Sequence, residues 1–193
     1  MTTGFPPGFD AAPVLTGEHV RLRPMTPQDR AALYAVACDP LIWEQHPSHD
    51  RWKPVVFDAF LDEALAEGGG LVVEDLATGA VIGSSRYSTR RAEAGEIEIG
   101  WSFLARDYWG GIRNPEMKRL MLDHALSVFD AAIFMIGSEN RRSRTAIERL
   151  GARLTDRQDV VFRCGQRVEH AIYRIDRDDW NAEPNPSEPA ATS

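Results

Sequence analysis

The sequence predicts an α/β domain: a mixed, mostly antiparallel sheet with about four helices on its faces. Three observations carry that reading. Short alternating or apolar runs interleave along the chain with longer segments of helical period. A glycine turn, Gly110-Gly111, stands between a strand-like run and a sharp helix start. A near-continuous apolar run, Ala131 to Ile136, reads as a central strand covered on both faces.

The elements follow in order. His19 to Pro24 alternates and forms a first strand, stopped by the proline. Thr26 then caps a helix, with Pro27 at its first position, Asp29 in its first turn, and Leu33, Val36 and Ala37 as its apolar face. Asp39 to Pro54 is a loop or broken helix rich in Trp and His. Val56 to Glu67 is a second helix, with Phe57, Phe60, Leu61 and Leu65 on one side and Gly68-Gly69-Gly70 ending it. Leu71 to Glu74, Ala80 to Tyr87 and Glu96 to Phe103 form an antiparallel meander. Strand periodicity puts Ile97, Ile99 and Trp101 on one face of the last, with Glu98 and Gly100 on the other. A third helix starts at Asn114 as N-cap, with Pro115 at the first position and Glu116 complementing the dipole. Met117, Met121, Ala125 and Val128 are its buried stripe. After the central strand, Asn140 to Leu150 is a fourth helix, closed by Gly151, and Val160 to Phe162 and His170 to Ile175 are the last strands. Residues 1–14 read as a flexible lead-in, 15–180 as the domain, and 181–193, with three prolines, as a disordered tail.

Composition bounds the function. A chain of 193 residues with 43% hydrophobic and 26% charged residues is one soluble domain with a sizeable core. A net charge of −7 argues against a general nucleic-acid binder, which needs a basic face. It suits an amine partner but speaks first to solubility. No apolar stretch is long enough to span a bilayer, and no basic, apolar leader opens the chain, so a cytoplasmic protein without membrane contact is expected. Cys38 and Cys164 lie in no CxxC and beside no His, and read as small buried hydrophobes.

Four places carry possible chemistry. In Trp109-Gly110-Gly111-Ile112-Arg113-Asn114, two glycines let backbone N–H groups converge ahead of a helix N-terminus, with Arg113 at its mouth. That is either a pyrophosphate seat or a strand-to-helix turn that simply needs glycine. Asn140 and Ser143 occupy the first turn of the fourth helix, as caps, as ligand contacts, or as both. Glu98 is a carboxylate in mid-strand, either a base for a nucleophile or a glutamate on the solvent face, while Glu93 and Glu96 read as solvated. The segment from Trp43 to Trp52 combines aromatic, histidine and acidic residues that suit a cationic amine or anchor a loop. His46, His49 and Asp50 lack a rigid ligand scaffold and a second cluster, so no metal is expected.

Glu98-Ile99-Gly100-Trp101, Tyr108-Trp109-Gly110, and Asn140-Arg141-Arg142-Ser143 with Leu150-Gly151 resemble the GCN5-related N-acetyltransferase (GNAT) superfamily, over most of His19 to Trp180. Trp-Gly-x-x-x-Asn-x-Glu-x-Lys is similar to a variant in its ribosomal-protein-alanine (Rim-type) branch. Against the family's Arg/Gln-x-x-Gly-x-Gly/Ala loop, Trp109 replaces the first residue, Ile112 the first glycine and Asn114 the last position.

The resemblance implies the acyl-CoA N-acyltransferase fold, with a splayed parallel strand pair holding acetyl-CoA. It implies transfer to a primary amine, either a protein N-terminus or a small molecule, by a monomer or homodimer; the lost loop glycine at Ile112 keeps open a non-catalytic acyl-CoA-binding or protein-interaction module on the same fold. Cofactor contacts would come from Phe103 and Leu104 through backbone pairing, from Trp109, Gly110, Gly111, Arg113, Asn114 and Lys118, and from Asn140 and Ser143. Glu98 would be the base and Ser143 the group that protonates the leaving sulfur. Trp43, His46, Trp52 and Trp101 would shape the acceptor pocket.

Overall fold

A computed structural model describes residues 4–163 and 166–182. Eight strands form one mixed sheet in the order β1-β2-β3-β4-β5-β6-β8-β7. The strands are β1 (Leu15–Thr16), β2 (Val20–Pro24), β3 (Gly70–Asp75), β4 (Val81–Ser88), β5 (Glu96–Leu104), β6 (Ala131–Gly137), β7 (Arg153–Arg163) and β8 (Gln166–Asp176). The helices are α1 (Arg30–Ala37), α2 (Pro54–Glu67), α3 (Arg113–Leu126), α4 (Arg141–Glu148) and α5 (Arg177–Ala182). Every neighbouring pair is antiparallel except β5 and β6. The predicted sheet and its four helices are present. The sequence missed the short β1 and α5 and gave only the end of β7 and the later part of β8.

Two apolar layers sandwich the sheet, and strand alternation assigns side chains to them. Leu71 and Val73 of β3 join Met117, Met121, Leu122 and Ala125 of α3 in one core, with Ile97 and Ile99 of β5. Val72 packs on the other face with Leu33 of α1 and Phe57 and Leu61 of α2. In α3 the stripe turns onto Leu122 and Leu126, leaving Val128 exposed. The segment ahead of β1 also reaches this core: Phe9 is buried, edge-on to Tyr87 and Phe129. Cys38, expected inside, is exposed at the end of α1, and Cys164 lies outside the described residues.

Two helix starts differ from expectation. Asp29 belongs to a 3-10 turn, Pro27–Asp29, where its carboxylate accepts from the backbone and hydroxyl of Thr26 and from Arg23; α1 proper begins at Arg30. The N-cap of α3 is Ile112, and Asn114 and Pro115 lie inside its first turn. Proline fits anywhere in that turn, because the missing N–H has no partner there in any case.

Glu116, read as a dipole charge, does more. Its carboxylate accepts from the backbone N–H of Glu18 at 2.6 Å and from those of His19 and Val20 at 3.0 Å, gathering the donors of the β1–β2 turn. Charge-assisted bonds of this kind contribute about 1.5–3 kcal/mol each. Glu116→Ala is therefore expected to cost about 2–4 kcal/mol in urea unfolding. A loss below about 0.5 kcal/mol would show that water replaces the carboxylate without penalty.

Candidate active site

Strands β5 and β6 pair only at Glu96↔Ala131, Ile97↔Ala132 and Glu98↔Ile133. Beyond Glu98 they part, and a cleft of about 620 Å³ opens along the freed end of β5, walled by α3, α4 and the Trp43 loop. A bulge sits at the point of parting. Arg86 of β4 faces Gly100, and Ser84 faces Phe103, so β5 carries one residue more than β4 across this step. Trp101 absorbs it with φ +53°, rare for a non-glycine residue. Gly83 lets the strands close up again behind the bulge, since a Cβ there would lie 2.0 Å from the Phe103 carbonyl oxygen.

The bulge reverses the alternation of β5. Before it, odd residues face α3. After it, Phe103 packs among the α1 and α2 residues, Leu104 joins the α3 core, and Ser102 turns towards α3. Trp101 leaves the Ile97 and Ile99 face expected for it and stacks 3.8 Å from the Arg86 guanidinium. Arg86 itself is 1% exposed, and its nearest carboxylate is Glu67 at 3.9 Å.

The cleft brings together ten of the predicted residues: Trp43, His46, Phe103, Leu104, Trp109, Gly110, Gly111, Asn114, Asn140 and Ser143. Asn140 is buried and caps α4, its side-chain oxygen accepting from the Ser143 backbone N–H at 3.2 Å. The Trp109 indole donates to the Leu104 carbonyl at 2.9 Å and closes the end of the β5 edge. Trp43 is buried with its indole N–H on the Ala37 carbonyl, so it both anchors the loop and lines the cleft. His46 accepts at Nδ1 from the Ser48 backbone N–H. Ile112, the residue at the glycine position of the loop, is 54% exposed and outside the cleft lining.

Five predicted residues do not line the cleft. Arg113 turns away and donates to the buried Asp75 at 2.6 Å, holding that carboxyl below its ordinary range. Trp52 is exposed and outside the cleft lining. Trp101 covers Arg86. Glu98 is 1% exposed, not on the solvent face, and accepts from Arg91 at 2.6 and 3.3 Å; burial raises its pKa while Arg91 opposes the rise. Glu96 is likewise buried, bound by Arg157 and Arg174, rather than solvated. Lys118 is buried beneath the cleft, where burial pushes its pKa down to about 7.

The sequence passed over several residues that matter here. Arg119, Arg141, Arg142 and Arg149 line the cleft, and no carboxylate does among the described residues. Arg142 donates to the Ile42 carbonyl at 3.0 Å and lies 3.8 Å over the Trp109 ring, joining the Trp43 loop to the α4 end of the cleft. Arg119 lies on α3, Arg141 and Arg142 on α4 and Arg149 at its end; only the placement of α4 beside α3 turns them onto one opening. Ser102 had no sequence signal, because the bulge alone directs it. Among the described residues no group of three His, Cys, Asp or Glu could hold a metal ion, and no helix is long and apolar enough to cross a membrane.

Comparison with known proteins agrees with this geometry. A search of curated proteins finds no match. Among solved structures, a probable GNAT-family acetyltransferase from Chromobacterium violaceum superposes with TM-score 0.78 at 21% identity, covering 94% of this chain and 98% of that one. RimJ from Mycobacterium smegmatis, solved with CoA-disulfide, gives 0.66 at 19%, covering 87% and 88%. The ribosomal-protein-S5-alanine acetyltransferase from Vibrio fischeri gives 0.65 at 18%, covering 89% and 100%. The acetyltransferase (GNAT) domain family matches residues 19–153, and with the splayed pair, the bulge and the capped α4 in place, the chain belongs to that family of acetyltransferases.

Proposed function

We propose that the protein is an acetyl-CoA-dependent N-acetyltransferase acting on a primary amine, with a protein N-terminal α-amine as the favoured acceptor. One observation carries the cofactor assignment: a chain of net charge −7 concentrates four arginines and, among the described residues, no carboxylate around a cleft of about 620 Å³. That charge and size suit a phosphate-rich co-substrate. Arg119, Arg141, Arg142 and Arg149, with the first turns of α3 and α4, would hold its phosphates. The free edge of β5 at Phe103 and Leu104 would pair with the pantetheine arm. Ile112 stays outside the cleft, so the altered glycine loop leaves it open, which counts against a module that has lost its ligand. The protein acceptor is favoured by the shared fold of the two ribosomal-protein-type relatives and by the Trp-Gly-x-x-x-Asn-x-Glu-x-Lys segment. A small-molecule amine is the rival.

In this reading, transfer is direct. Backbone N–H groups past the bulge polarise the thioester carbonyl, and Ser143 donates a hydrogen bond to the departing sulfur. Glu98 serves as acceptor-side base only through a water or a swing of Arg91, since its carboxylate is bound and enclosed.

Calorimetric titration with acetyl-CoA is expected to show micromolar binding, weakened about tenfold or more by Arg142→Ala. No binding at millimolar acetyl-CoA would overturn the assignment. Peptides with free N-terminal alanine or serine are expected to consume acetyl-CoA faster than polyamines or free amino acids; the reverse order would select the small-molecule acceptor. Glu98→Gln separates the two parts that carboxylate could play. A base loses kcat by roughly a hundredfold at unchanged fold stability; an ion-pair anchor loses melting temperature with kcat largely kept.

A further inference from the structure

Lys118 is the anomaly of the molecule. It lies on the buried stripe of α3, between Met117 and Met121, where an ammonium is costly. Its Nζ meets the Ser102 Oγ at 2.5 Å and the Ser85 Oγ at 3.4 Å, and the two hydroxyls are 2.7 Å apart. The Phe134 ring of β6 lies 5.7 Å from Nζ. The neighbours from β4, β5 and β6 are therefore two hydroxyls and a ring, and burial alone perturbs the amine. Among the described residues no carboxylate bonds to it. A purely structural pin at this place would be served by an apolar side chain of the same length.

Ser102 links this amine to the reaction. It lines the cleft and stands directly after the bulge, where β5 leaves β6. We propose that Ser102 and Lys118 form a proton relay for the acetyl transfer, running from the floor of the cleft into the core. The proposal rests on the transferase reading above. As the acceptor nitrogen attacks the thioester carbon, a C–N bond forms. In place of the enclosed Glu98, the relay takes the nitrogen's proton: it passes to Ser102 Oγ while the serine's own proton passes to Lys118 Nζ. The C–S bond then breaks, its electron pair going to sulfur. The thiolate, held by the Ser143 hydrogen bond, takes its proton from Ser102 rather than from Ser143, and Ser102 recovers its own from Lys118. Lys118 ends as the free amine it began as, and no other reactant is required. Lys118 acts through Ser102 and is a positioning residue; Ser102 is the group at the reacting atoms. Ser85 holds Ser102 in place, bonding both it and the Gly100 carbonyl.

The test uses the full chain, acetyl-CoA, and the best acceptor of the panel above. Ser102→Ala and Lys118→Met are each expected to lower kcat roughly a hundredfold while acetyl-CoA affinity in calorimetry stays within about twofold. Lys118→Arg keeps a cation that does not give up its proton and is expected not to restore turnover. In the unsubstituted enzyme, kcat should rise with pH through about 7, because the relay starts from the free amine. That limb should be common to acceptors of different basicity, and Lys118→Met should abolish it. Wild-type turnover with both variants fully active and the limb unchanged would overturn the relay and leave the transferase reading standing. A wild-type chain that binds acetyl-CoA yet acetylates nothing would overturn both.

A second readout needs no activity. Burial depresses the lysine from 10.5 to about 7. Between those values the unfolded chain holds the extra proton, so wild-type stability gains with pH across that window. Lys118→Met should raise the melting temperature most below pH 7, with the advantage shrinking towards pH 10. A constant difference between the two proteins would show that Lys118 stays charged in the fold, and would overturn the relay.

Discussion

A parallel strand pair that stops after three residue pairs leaves two edges whose backbone groups still need partners. The molecule meets this in several ways. The Trp109 indole takes the Leu104 carbonyl, Asn140 takes an N–H of the first turn of α4, and the bulge at Trp101 turns the rest of β5 aside. What is left is an edge that faces a cleft rather than another strand. Binding an extended ligand there would complete a sheet the fold itself leaves open.

Charge is sorted around that opening. Carboxylates of β5 lie on the paired side, where Glu96 and Glu98 are buried against Arg157, Arg174 and Arg91. Arginines lie on the open side, lining a cleft that no carboxylate lines among the described residues. Desolvation of Arg142, only partly offset by Glu44, is the kind of cost a bound polyanion would repay. The acidity of the whole chain therefore hides a local field of the opposite sign, and net charge alone misleads about what the protein attracts.

Much of the fold was legible because local chemistry and tertiary structure agree. The meander, the glycine-ended α2, the apolar β6 and the Asn140 cap follow from periodicity and capping. Disagreement concentrates at the bulge. Strict alternation placed Trp101 with Ile97 and Ile99, yet one inserted residue sends it to Arg86 and sends Ser102 to Lys118. Composition cannot reveal that insertion, because only pairing against β4 defines it. The same limit applies to Glu98 and Glu96, whose ion pairs come from the β4–β5 loop at Arg91 and from the distant β7 and β8 strands at Arg157 and Arg174.

By itself, the sequence determined the class of fold, the order of its elements and the family, since these rest on periodicity, caps and motif residues close together in the chain. The tertiary structure alone decided which of those residues meet. It drew Asn114, Ser143 and four separated arginines onto one cleft, and set Arg113 and Glu98 in ion pairs with Asp75 and Arg91. It also buried Lys118 under a serine, because strand register and helix placement are settled by packing between segments that carry no local record of one another.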